Sequence, residues 1–201
     1  GTSQITLQGI LAITGNIFGG SNATTIGSGR ITGNTNIIIN SSSITVNGNV
    51  YGGSNGTISG TDVDFTNGYI IGDTNITLKA GTVAGYVYGS GYNCGNSKST
   101  NITIENGTVT GTIFGGAYRN QVRTTANITI LGGTVKDIYG GNNNTVQAQL
   151  TNDTDLHNTN ITIGNTTDDT TPTVNGVIYG GGKYDKVGTA EIHLNECANT
   201  V

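Results

Sequence analysis

Residues 101–130 read NITIENGTVTGTIFGGAYRNQVRTTANITI, one full period of a repeat that governs the whole chain. Asn101-Ile102-Thr103-Ile104 opens the period and Gly107-Thr108-Val109 follows. Ile113-Phe114-Gly115-Gly116 comes third, and Asn127-Ile128-Thr129-Ile130 begins the next copy. Working outward, the phrase of a branched aliphatic, an aromatic and Gly-Gly or Gly-Ser recurs at Ile17-Phe18, Val50-Tyr51, Val87-Tyr88, Ile138-Tyr139 and Ile178-Tyr179. The Ile-Thr-Ile phrase recurs at Asn75, Asn127 and Asn160, with looser copies at Gln4, Asn36 and Glu191. A lone branched residue follows the aromatics at Ile26, Ile58, Val122, Val146 and Val187.

The aromatics are spaced 33, 37, 26, 25 and 40 residues apart, from Phe18 through Tyr51, Tyr88, Phe114 and Tyr139 to Tyr179. Self-similarity at such a period marks a repeat architecture. Each period holds short β-branched runs divided by Gly- and Asn-rich turns, which reads as strands. Helical apolar spacing is missing. An RTX roll would need a shorter, Asp-bearing repeat. The sequence predicts an all-β fold: a single-domain, three-sided, right-handed parallel β-helix of about six to seven coils over residues 1–201. The chain opens on Gly1 in mid-pattern and closes on an echo of Asn106-Gly107-Thr108-Val109, which reads as a piece of a longer array.

Strand parity assigns faces, because successive side chains point to opposite sides. Val109, Gly111 and Ile113 share one face, and Thr108, Thr110, Thr112 and Phe114 the other. The same register holds around Phe18, Tyr51, Tyr88 and Tyr179. The branched residues are expected to fill the core, with the Gly between them permitting a bend. The aromatics then fall on the outward face as a ladder, one per coil, at about 4.8 Å spacing. A second reading turns them inward at the strand ends to cap the corner. The Asn before each Ile-Thr-Ile is expected at the preceding turn, where Asn tolerates unusual backbone angles.

Composition narrows the function. The chain has 34 Gly, 1 Pro, 10% charged residues and a formal net charge of −4. Mild acidity with scattered basic residues argues against nucleic acid, which needs a clustered basic face. No apolar run reaches the length of a membrane span, so membrane insertion is not expected. Stacked coils would hold Cys94 and Cys197 roughly 14–19 Å apart, beyond the roughly 7 Å that a disulfide tolerates. Both are expected as free thiols.

The Gly-Thr-Val, Ile-Phe/Tyr-Gly-Gly, Asn-Ile-Thr-Ile pattern resembles Gly/Asn/Thr-rich adhesin-like repeat proteins of bacterial or archaeal cell surfaces. The resemblance runs from Ile5 to Val201. It implies a right-handed parallel β-helix, an extracellular cell-surface location, and a host or cell-wall glycan or glycoprotein as partner.

Phe18, Tyr51, Tyr88, Phe114, Tyr139 and Tyr179 are the candidate ligand-binding residues, because sugar C–H faces pack on aromatic faces. Insertions near 61–69 and 147–157 leave the same corner, and a third near 164–172 leaves another. Two of these insertions carry Asp62 and Asp64, and Asp153 and Asp155, the candidate metal ligands. Ca²⁺ is the ion such oxygens suit, although it wants six to eight of them. Solvated loop acids are the plainer reading, and no cofactor is expected. The acids do not occupy matched positions in adjacent coils, as paired-carboxylate hydrolysis would require, so no catalytic residue is assigned. Eleven Asn-x-Ser/Thr sequons occur, several of them by-products of the Asn-Ile-Thr repeat. Each strand offers one outward Thr rather than a Thr-x-Thr pair, which speaks against ice binding. The expected function is a non-enzymatic adhesin-like module, with a structural stalk and a polysaccharide-processing enzyme as alternatives. Uncapped end coils would expose strand edges and invite end-to-end association.

Overall fold

The computed structural model describes residues 1–23, 25, 28–56, 67–96, 98–120, 122–144, 157–166 and 170–195. All regular structure among them is β-strand, and every strand pairing is parallel. Each repeat pairs with the next in sequence. An 11-stranded sheet carries the Ile-Thr-Ile and Thr-Val segments, and a 6-stranded sheet carries the aliphatic-aromatic pairs.

The first sheet contains Ser3–Leu7, Thr35–Val46, Thr74–Val83, Thr100–Ile104, Thr125–Ile130, Asn158–Ile163 and Ala190–Leu194. Their register superposes Ile5, Ile37, Ile76, Ile102, Ile128, Ile161 and Ile192. Buried and half-buried residues alternate along Thr100–Ile104 and Thr125–Ile130, as β-branched alternation requires. The Ile and Val rungs form one continuous aliphatic core from Ile17 to Ile163. Fully burying one such side chain contributes roughly 1.5–3 kcal/mol. A single repeat has nothing to bury it against, so stability accrues by stacking.

The Gly-Gly corners have a steric cause. A Cβ on Gly19, Gly52, Gly89, Gly115 or Gly140 would collide with the carbonyl oxygen of the matching Gly one repeat on. Glycine is needed there for close approach of backbones rather than for a left-handed conformation. The same holds for Gly48, Gly85 and Gly111, where a bend was expected. Positive φ occurs elsewhere, at Gly81 (104°), Gly107 (116°) and Gly133 (76°), just beyond the Ile-Thr-Ile phrase. Threonines fasten each corner to its own repeat. Thr35, Thr74 and Thr100 donate through Oγ1 to the carbonyls of Gly52, Gly89 and Gly115 at 2.6, 2.6 and 2.5 Å.

Two expectations are corrected. The Asn residues of Asn-Ile-Thr-Ile lie within strands rather than at turns. Asn75, Asn101 and Asn127 each donate Nδ2 to Oδ1 of the Asn one repeat earlier, at 2.9, 2.9 and 3.0 Å. Identical amides in register satisfy one another, and this overrides the turn preference of Asn. The lone branched row is also shifted in the first repeats. Isolated bridges align Ile31, Ile70, Asn96 and Val122, so the row there is held by Ile31 and Ile70. Ile26, Ile58 and Val146 lie outside the described residues.

Candidate functional site

Parity within the aliphatic-aromatic pairs sends the two side chains to opposite sides. Ile113 joins the aliphatic core, while Phe114 joins a separate cluster with Tyr51 and Tyr88. Register then stacks all six aromatics. Ring centroids from Phe18 through Tyr51, Tyr88, Phe114 and Tyr139 to Tyr179 are 4.7, 4.9, 5.1, 5.1 and 4.6 Å apart, with interplanar angles of 21° or less. Each stacked pair is worth about 0.5–1.5 kcal/mol beyond its burial.

The ladder therefore faces away from the aliphatic core, yet its middle is covered. Tyr51, Tyr88 and Phe114 are only 2%, 1% and 2% exposed. The cover is a second layer of rings. Tyr92 stands edge-on to Tyr51 at 5.8 Å and Tyr118 edge-on to Tyr88 at 5.7 Å. Tyr92 and Tyr118 stack on each other at 4.8 Å. On the opposite flank, Tyr86 lies edge-on to Tyr88 and Phe114 at 6.2 and 6.4 Å. Stacking occupies the faces of the inner rungs, so they offer mainly edges outward. The rings that keep open surface are Tyr86, 46% exposed, and Tyr179, 48% exposed at the end of the ladder.

Between the flanks lies a groove of about 380 Å³. Its floor is Tyr51, Tyr88, Phe114 and Tyr139. One rim comprises the residues two before each rung: Asn49, Tyr86, Thr112 and Asp137. The other comprises the residues four after: Tyr92, Tyr118, Asn143 and Lys183. The floor repeats while the rims vary. Elsewhere, the first rim position holds the amide Asn16, and the second holds Asn22 and Asn55, joined by an amide bond of 2.9 Å. Asn16, Asn49 and Asp137 have a structural task as well. Each accepts, through Oδ1, the backbone N–H of the residue at the same position one repeat on: Asn49, Tyr86 and Val177.

Polar groups tie the floor to the rims. Asn49 donates Nδ2 to the Tyr51 hydroxyl at 3.2 Å, and Asn143 donates to the Tyr88 hydroxyl at 3.1 Å. Burial pushes the Tyr51 phenol up to about 12, against the Asn49 hydrogen bond. Burial likewise raises the Tyr88 phenol. Both phenols stay protonated and able to donate. Burial first, then the neighbouring Tyr179, Asp137 and Tyr184, raise Tyr139. Lys183 Nζ sits 5.4 Å from the Tyr184 ring centroid, a cation–π distance.

Beneath the polar end of the groove runs a buried link. Asp185 Oδ2 accepts from the Asn142 backbone at 3.1 Å and from its Nδ2 at 2.8 Å. Asn142 Oδ1 accepts the Ala117 N–H at 2.6 Å. His157 Nε2 lies 3.7 Å from the same Asp185 oxygen. Burial holds the His157 imidazole below its ordinary value, against the pull of Asp185.

All six sequence-derived aromatics thus meet in one stack, four of them lining the groove. Tyr86, Tyr92, Tyr118 and the rim polar groups were missed. Tyr86 shares the parity of Tyr88 and was readable; Tyr92 and Tyr118 follow Gly-Ser-Gly and Gly-Gly-Ala turns, beyond the reach of parity. Asp62, Asp64, Asp153 and Asp155 lie outside the described residues. Among the described residues no cluster of three or more His, Cys, Asp or Glu could hold a metal ion. Cys94 is buried and free; its Sγ donates to the Ser54 carbonyl at 2.9 Å, and burial pushes its thiol up to about 12. Cys197 lies outside the described residues. No protein-family model, curated protein or solved structure matches the chain.

Proposed function

We propose that the chain is a three-sided, right-handed parallel β-helix of about six to seven coils, serving as a non-enzymatic, adhesin-like module on the outside of a cell. Its ligand is a host or cell-wall glycan, held in the aromatic groove. The observation that carries this reading is the groove itself. Ring surfaces from Tyr86, Tyr92 and Tyr118 lie beside hydroxyl, amide, carboxylate and ammonium groups at its rims. Apolar ring faces with a few placed polar groups are what carbohydrate recognition needs, since a sugar is apolar on its C–H faces and polar at its edges.

One observation favours a structural stalk as the second reading. Tyr51, Tyr88 and Phe114 are buried without any ligand, and a self-stacked ladder stiffens an array by itself. A glycan array on folded protein separates the two. A binder retains at least one glycan class after washing, and the stalk retains none. Reducing-end release from a polysaccharide panel tests the enzyme alternative, and no release is expected.

A further inference from the structure

The groove has a direction. Its lining comes from successive repeats, beginning with Asn49 and ending with Lys183. Five repeats contribute, so the lining spans four coil steps, roughly 19 Å at about 4.8 Å per step. One step is close to the advance of one pyranose along an extended chain. The two ends differ in chemistry. Tyr86, Tyr92 and Tyr118 make the first half ring-rich. Asp137, Asn143 and Lys183 make the second half polar. One carboxylate and one ammonium leave the lining without net formal charge.

The repeat pattern supplies the second line of argument. The position two before each rung reads Asn16, Asn49, Tyr86, Thr112, Asp137 and Val177. The amides and Asp137 there cap the next repeat's N–H. Tyr86 replaces such a cap with a large ring that is 46% exposed. An aromatic left in water where the framework uses a hydrogen-bonding amide contributes little to the fold, whereas sugar C–H groups would cover it.

Resting on the glycan-binding reading above, we infer that the groove takes an uncharged oligosaccharide of about four units, lying along the stacking direction. The two rim rows, not the ladder, read its identity. A pyranose ring face packs on Tyr86, with Tyr92 and Tyr118 as the facing wall. Sugar hydroxyls at the other end donate to Asp137 and exchange hydrogen bonds with Asn143 and Lys183. The ladder is the constant floor, and ligand specificity is written in Tyr86, Asp137, Asn143 and Lys183.

The test is calorimetric titration of the whole protein with neutral gluco-, manno-, xylo- and galacto-oligosaccharides of two to six units, beside oligogalacturonate of matching lengths. One neutral series should bind, with affinity rising to about four units and then levelling. Tyr86→Ala and Asp137→Asn should each weaken binding about tenfold or more. Asn22→Ala and Val177→Ala, in the same rows but outside the groove, should leave it within about twofold. Circular dichroism confirms that each variant is folded. Asp137→Asn keeps the backbone cap, so a loss of binding there does not reflect a lost fold. Neutral-glycan binding that ignores Tyr86 and Asp137 overturns this inference and leaves the glycan-binding reading standing. Preference for oligogalacturonate does the same. Binding to neither class overturns both.

Discussion

The molecule contains two stacked clusters built from adjacent residues of the same strands, and they are organised in opposite ways. The aliphatic core repeats Ile and Val at every rung and is closed on all sides from Ile37 to Ile161. The aromatic cluster also repeats its rungs, yet it is closed only where Tyr86, Tyr92 and Tyr118 cover it, and opens toward Tyr179. The core is uniform because its only task is burial. The aromatic side combines a uniform floor with rims that change from repeat to repeat. In an array whose coils share one framework, departures from the repeat are the places to look for recognition.

The largest break in this comparison should come from the core. Ile128 is 1% exposed between two like rungs, so Ile128→Ala should cost about 2–5 kcal/mol. Tyr86→Ala, one layer out and half in water, should stay within about 0.5 kcal/mol. Urea denaturation of both variants reads the difference, and equal losses would show that the rim ring is structural. Next in size is a like-for-like pair at the second Gly of the corner. A Cβ on Gly116 collides with Asn142 Oδ1, the acceptor of the Ala117 N–H, so Gly116→Ala should cost about 1–3 kcal/mol. A Cβ on Gly181 meets only Val187 Cγ2 at 3.6 Å, and Gly181→Ala should be nearly silent in the same denaturation.

The smallest expected effect is a pH dependence. Burial keeps His157 neutral, so its folded value lies below its unfolded value. Below about pH 6.5 the unfolded chain takes up a proton that the folded chain resists. Stability contributed by the neutral ring is therefore full above that pH and declines as pH falls toward the folded value. Melting temperature should drop with acidification below pH 6.5, and His157→Gln should flatten that slope. An unchanged slope in the variant would assign the effect to other groups.

Much of this was legible because stacking converts sequence spacing directly into register. Parity placed Ile113 inward and Phe114 outward, and the six aromatics do fall in one stack. Parity ends where a strand ends. Tyr92 and Tyr118 cover the ladder from beyond the corner, and no alternation rule reaches them. The Asn row misled for another reason. Asn has a strong local turn preference, but a ladder of identical amides is a property of neighbours in space, invisible within one repeat. The shift of the lone branched row to Ile31 and Ile70 has a similar origin, since an insertion can precede or follow that leg without changing the order of motifs.

The amide row has one more consequence. Every amide in it hands its N–H to the repeat before, so every amide C=O points toward the repeat after. Aligned in this way, the side chains form a dipole along the stack, positive toward Asn36 and negative toward Asn160. Among the described residues Asn160 Oδ1 has no hydrogen-bond partner, and the residue in register beyond it is Glu191. A helix places cations at its negative end; this row meets an acid there, a carboxylate facing a bare carbonyl oxygen. The side-chain wire thus has a polarity and a terminus, and the current of hydrogen bonds that begins at Ser3 goes no further than Asn160.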